Sequence, residues 1–237
     1  MTSNGRSPLQ AQPLPRGAAE YPAGLLRMLG EHAPTRCFTL GDRNALTQPL
    51  LALLCSERCP GDLIIKACDA ATALRDAGVP VIGGFHSSVE RECLRILLRG
   101  TQPVVICPAR SIERMRIPTD WRDPIREGRL LLISPFAAKQ NRITAALAAE
   151  RNEFVAALAH AVLVAYADPG GMIETLARKL AALGKPLFCF EGDDTANLQR
   201  LGAGITDGTA ILGLWRRCAT QPLMQAKIEG RDPAGHK

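Results

Sequence analysis

Aromatic residues make up only 4% of this 237-residue chain, so its core must be filled by Ala, Leu, Ile and Val rather than by rings. With a hydrophobic share of 46%, that composition suits a helix-covered parallel sheet better than an all-β sandwich. No apolar run approaches the ~20 residues that a bilayer crossing needs, and the first residues lack a stretch of signal-peptide length. The expectation is a cytoplasmic protein without membrane contact. No C-x-x-C pair occurs, and Cys55-x3-Cys59 has no second Cys or His pair at zinc spacing, so no structural metal is expected. G-x-S-x-G, H-E-x-x-H, Walker A and G-x-G-x-x-G are all missing, which removes the commonest hydrolase, zinc-protease, P-loop and dinucleotide readings. Acidic excess is missing too. There are 29 basic against 23 acidic residues, a formal charge of +6 and a pI near 9.0, a balance that favours polyanions without requiring one. Cysteine is not scarce, but its 8 residues lie mostly inside apolar runs, as free thiols in a reducing compartment do.

Residues 1–22 are rich in Pro, Gly, Ser and Gln and poor in large apolar side chains, so a disordered tail is expected there. The polar stretch 222–237 is expected to be flexible for the same reason. Residues 23–221 suffice for one domain with one sizeable core. Within them, short apolar runs at 36–40, 79–82, 103–107, 129–134, 161–165 and 186–190 alternate with helix-period stretches at 47–58, 61–77, 89–99, 122–127, 139–159 and 172–183. This alternation is the pattern of βαβ units around a parallel sheet, and Gly78, Gly100 and Gly184 stand where helices should stop.

Ligands of such sheets gather at the carboxyl ends of the strands, which singles out the loops 41–44, 83–88, 134–136 and 168–171. In the turn Gly83-Gly84-Phe85-His86-Ser87-Ser88, two residues without Cβ open the backbone at a helix start, a geometry that accepts phosphate. A plain tight turn has the same glycines. Pro169-Gly170-Gly171 repeats the arrangement ahead of the next helix. Gly41-Asp42-Arg43 offers a guanidinium to phosphate and a carboxylate to a ribose or base, although an ordinary surface Asp–Arg pair looks alike. His86, Glu90 and Cys93 share a helical face at metal-ligand spacing, for which a helix cap and a core thiol are the plainer account. Glu174 offers acid–base chemistry or simple complementation of a helix dipole. The segment 109–129 carries six arginines and Trp121, suited to a nucleic-acid backbone with a stacking surface, or to a solvated connection whose charges pair locally.

Read together, these turns resemble the Rossmann-like domain of the DNA-processing protein A (DprA/Smf) family, itself related to the LOG-type nucleotide phosphoribohydrolases. The family's G-S-R turn is similar to Gly41-Asp42-Arg43, and its S-G-L-A-R-G-I-D turn to residues 83–90. Its R-N-R-I-I-A-G-L-S-D-A-V-L-V-V stretch is similar, without a gap, to Arg151-Asn152 and the residues through Ala165. Its S-G-S/G turn resembles Pro169-Gly170-Gly171, and its next strand resembles residues 184–190. The Gln140-Asn141-Arg142 segment lies too far from the following strand for the same motif and reads as a helix start. Ser87 and Ser88 replace the family's arginine and glycine, and Glu153 replaces the last arginine of R-N-R.

The resemblance implies an α/β, Rossmann-like three-layer sandwich with a mainly parallel sheet of about six or more strands. It implies a DNA-processing and recombination mediator, acting in natural transformation, that binds single-stranded DNA or a nucleotide without cofactor or catalysis. Its partners would be that strand, a second copy of the chain and a recombinase. The implied contacts are Gly41, Asp42, Arg43, Gly83, Gly84, His86, Ser87, Arg151, Asn152, Pro169, Gly170 and Gly171, gathered on one rim. Two alternatives stand beside it. One is a LOG-like nucleoside-monophosphate phosphoribohydrolase, whose P-G-G-x-G-T-x-x-E motif begins like residues 169–171 but is broken by Ile173 and Glu174. The other is a sensor of a nucleotide signal.

Overall fold

The structure is a computed structural model that describes residues 9–220. Among the described residues nine strands form one sheet: β1 (Gln12–Pro15), β2 (Arg36–Leu40), β3 (Leu51–Cys55), β4 (Val81–Gly83), β5 (Val104–Ile106), β6 (Leu130–Ser134), β7 (Ala161–Tyr166), β8 (Leu187–Phe190) and β9 (Gly204–Thr206). Their order is β1-β2-β6-β5-β4-β3-β7-β8-β9. The seven strands from β6 to β9 run parallel, while β2 lies antiparallel to β6 and β1 antiparallel to β2.

The helices are α1 (Ala23–Leu29), α2 (Gly61–Asp76), α3 (Ser88–Leu97), α4 (Thr119–Arg126), α5 (Ala145–Leu158), α6 (Met172–Ala182), α7 (Ala196–Gln199) and α8 (Ile211–Ala219). Alternate residues along β3 face opposite sides. Ala52 and Leu54 join Leu25 of α1, Phe154 and Val155 of α5 and Leu176 of α6. Leu51 and Leu53 join Leu63 and Leu74 of α2, Leu94 of α3, Ile125 of α4 and Trp215 of α8. Two apolar cores on the two faces of one sheet make the three-layer sandwich. None of the described helices is long and apolar enough to cross a membrane.

Three expectations are corrected. The stretch 47–58 is not a helix: its centre, Leu51 to Cys55, is a strand buried at every position. A strand covered on both faces loses the alternation that would mark it, and its continuous apolar run reads equally as a buried helix. The tail ends earlier than residue 22, because β1 pairs with β2 and Leu14 is fully buried. Residues 1–8 and 222–237 of the expected tails lie outside the described residues. The helix expected over 139–159 begins at Ala145, where Thr144 Oγ1 accepts the Leu147 N–H at 3.2 Å. Edge strands β1 and β9 extend the sheet beyond the runs read from the sequence, within the expectation of about six or more strands.

The chain adds β4, β5 and β6 on one side of β3, then crosses to place β7 on the other. The strand order therefore reverses at β3 and β7, and the crevice of such a sheet opens beyond their carboxyl ends. The loops that follow β3, β4, β5, β6 and β7 share this rim. Gly41-Asp42-Arg43 does not, because β2 runs the other way.

Candidate nucleic-acid interface

At the end of β4 the chain turns through Gly84, Phe85 and His86 into α3. Phe85 sits in the left-handed region at φ 48, a conformation that costs an ordinary side chain about 1–2 kcal/mol and is held by its surroundings. Glu90 supplies much of the hold. It is only 3% exposed, and its carboxylate accepts the N–H groups of His86 at 2.8 Å, Ser87 at 3.2 Å and Cys55, across on β3, at 3.0 Å. Ser87 Oγ accepts the Glu90 N–H in return, completing a capping box. Burial pushes the Glu90 carboxyl upward, and the Arg151 charge and the three N–H donors oppose that rise.

Arg151 explains Gly84. The arginine is 4% exposed, its Nη1 donates to the Cys107 carbonyl at 3.4 Å, and a Cβ on Gly84 would lie 1.1 Å from that nitrogen. The glycine leaves room for a guanidinium of the chain itself. The second turn works in parallel: the Gly170 N–H donates to Glu174 Oε2, and Glu174 also pairs with Arg178 at 3.4 Å. In each turn a glutamate four residues further on occupies the place an external phosphate would take, His86 to Glu90 and Gly170 to Glu174. Glu90 thus takes up the His86 and Ser87 amides of the first turn, and Glu174 the Gly170 amide of the second. Glu174, at the break in the P-G-G-x-G-T-x-x-E pattern, serves as this internal anion.

Two hollows flank α5. Successive helical residues point about 100° apart, so Arg151 lines one and Asn152 the other. The second, about 350 Å³, is bordered by Asn152, Gly170, Gly171 and the Glu153–Lys179 pair at 2.7 Å, and Asn152 Nδ2 rests 3.6 Å from Met172 Sδ. The first, about 130 Å³, lies between Gly84, His86 and Arg151 on one wall and Arg110, Met115 and Trp121 on the other. It continues past Arg110 and Met115 into a hollow of about 170 Å³ that adds Arg114 and Asn141. The turn after β6 fixes this wall, since Ser134 Oγ donates to the Arg110 carbonyl at 2.9 Å and the Ser111 N–H donates to the Gln140 carbonyl at 2.7 Å. Among the described residues neither the Arg110 nor the Arg114 guanidinium is in an ion pair. The result is a groove lined by an indole, an imidazole and two guanidinium groups.

The expected site residues thus divide. Gly83, Gly84, His86, Ser87 and Arg151 surround or brace the groove, and Asn152, Gly170 and Gly171, with Pro169 ahead of them, belong to the neighbouring hollow. Gly41, Asp42 and Arg43 sit on the opposite rim. A Cβ on Gly41 would meet the Leu130 carbonyl at the start of β6, Asp42 accepts the Asn44 N–H, and Arg43 is engaged by Thr39 Oγ1 at 2.9 Å, the Pro13 carbonyl at 3.0 Å and Glu20 at 3.7 Å. Of the two strands that end at the crevice, β3 is followed by Ser56-Glu57-Arg58. Ser56 ties it to the β7 turn, its N–H donating to the Tyr166 carbonyl at 2.9 Å and its Oγ accepting the Asp168 N–H at 3.0 Å. Arg110, Arg114 and Trp121 belong to the arginine-rich segment, whose local-pairing reading holds for Arg126 and Arg129 but not for these.

The family described as DNA recombination-mediator protein A matches residues 13–210. Among curated protein sequences none matches the chain. DNA processing protein A from Streptococcus pneumoniae has a similar structure, with a TM-score of 0.72 at 16% identity over 85% of this chain and 73% of that one. The Helicobacter pylori protein of the same name, for which a single-stranded DNA binding mode is described, gives 0.70 at 17% identity over 88% and 97%. A molybdenum cofactor binding protein from Rippkaea orientalis shares the fold more distantly, at 0.51 and 11% identity over 72% and 96%.

Proposed function

Because the chain belongs to the DNA recombination-mediator protein A family, we propose that it binds single-stranded DNA in the groove between the Gly84–Arg151 wall and the Arg110–Trp121 wall. One observation carries this reading: two guanidinium groups without ion-pair partners among the described residues line the same groove as Trp121, at the carboxyl ends of the strands. Arg110 and Arg114 contact phosphates, which position a strand without reading its sequence. Trp121 stacks a base, and His86 borders the same space. Arg151 and Glu90 hold the wall rather than the strand. The similarity to a Helicobacter pylori protein with a single-stranded DNA binding mode supports the same ligand. In this reading the protein works in DNA uptake and recombination as a homodimer that passes the strand to a recombinase.

Fluorescence anisotropy with labelled oligonucleotides of arbitrary sequence tests the site. Trp121→Ala is expected to weaken binding by about 1–3 kcal/mol, the worth of one stacked base. Arg110→Ala combined with Arg114→Ala is expected to weaken binding and lower the salt slope by about 0.7 for each phosphate contact removed. Arg43→Ala should bind as the parent does. Parental affinity and salt slope in the double variant would remove the groove from consideration.

A further inference from the structure

On the rim opposite the groove, β3, β7 and β8 begin side by side, and the residues ahead of them form a cluster that the DNA reading leaves unused. The pairing of Leu51 with Ala161 and of Val162 with Leu187, carried back along the strands, sets His160 beside Leu50 on one flank and beside Lys185 on the other. The His160 N–H donates to the Leu50 carbonyl at 2.7 Å, and His160 Nδ1 accepts the Leu50 N–H at 3.3 Å. With Nδ1 an acceptor, the neutral ring carries its proton on Nε2, which remains a donor. Lys185 Nζ donates to the Ala159 carbonyl just past the end of α5, which uses one of its three protons. Arg27 stands in the last turn of α1, the helix packed against α5, and its Nε is buried without an acceptor among the described residues.

The Lys185 and Arg27 charges both bear on the His160 ring, and the Arg27 charge bears on Lys185. Burial, then the Lys185 and Arg27 charges, lowers His160 to about 4, and burial with the Arg27 charge lowers Lys185 to about 8. Among the described residues none of the three is in an ion pair. Like charges gathered and partly desolvated without a counter-ion oppose folding, and an anion bound among them reverses the sign of that term. The donors present are a planar fork, an ammonium and a ring N–H. Such a set suits an oxyanion with several oxygens better than a halide.

We propose that Arg27, His160 and Lys185 bind a phosphate group where β3, β7 and β8 begin, at a site independent of the groove. The group comes either from a free phosphate ester or from the terminus of a nucleic acid.

The His160 ring, followed by NMR in chloride medium of constant ionic strength, is the probe. Added inorganic phosphate is expected to raise its titration midpoint saturably from about 4 towards the ordinary imidazole range. Arg27→Gln and Lys185→Gln should each weaken that response by about tenfold or more, as loss of a charge-assisted hydrogen bond does, and Arg110→Ala should leave it intact. Thermal unfolding establishes that both variants fold, and Arg27, the more peripheral, serves if Lys185→Gln does not. An oligonucleotide with a terminal phosphate that acts where its hydroxyl counterpart does not assigns the site to a nucleic-acid end. A response to inorganic phosphate alone assigns it to a small ester. An equal shift with chloride, or variants that respond as the parent does, overturns the proposal.

Discussion

Gly84 shows how an absent side chain sets a site. Its missing Cβ is the space that the Arg151 guanidinium fills, and Arg151 is too buried to swing into solvent. Gly84→Ala should therefore cost about 1–3 kcal/mol in urea unfolding, as overpacking of a filled site does. It should weaken oligonucleotide binding as well, because the displaced arginine must enter the groove. The sequence displays the Gly-Gly pair and the Arg-Asn pair plainly. It does not display that one exists for the other, since Gly84 and Arg151 meet only after the chain has added β5 and β6. For the same reason an open glycine turn reads as a phosphate cradle until the structure reveals which carboxylate already lies in it.

Among the elements, α3 separates a local device from a long-range one. Its capping box follows from Ser87 and Glu90 at the i, i+3 spacing, and Ser87→Ala should lower stability by about 1 kcal/mol in urea unfolding, the usual cost of an N-cap. Glu90→Gln reaches further. The same carboxylate accepts the N–H of Cys55 as well as those of His86 and Ser87, and a Gln amide, whose NH2 cannot accept, leaves at least one of these buried donors unmatched at an expected cost of about 3 kcal/mol. A ratio near one between the two losses would show that Glu90 does no more than cap its helix. The helices and most parallel strands were legible because period and glycine stops are local properties. β3 was not, since burial on both faces erased its period. The direction of β2 was not, since it depends on pairing with β6 some ninety residues on. That single direction moves Arg43 from the groove to the opposite rim.

For the whole molecule, the cluster at the start of β3, β7 and β8 makes stability depend on pH. His160 titrates at about 4 in the folded protein against an ordinary value of 6.5. Between those values the unfolded chain holds more protons, so acidification through that window destabilises the fold. In phosphate-free buffer, thermal unfolding of the parent should fall behind that of His160→Gln as pH drops from 6.5 towards 4, and parallel curves would contradict this. The sheet that carries both rims also fixes an order of assembly. β3 finds its partner β7 only across 110 residues of sequence, from Leu50 to His160. While the chain is being synthesised, one edge of a wholly apolar strand stays open until the second half emerges. Unpaired edges of that kind are where nascent proteins cling to one another, so chaperone demand should concentrate in the interval between translation of Cys55 and translation of Tyr166.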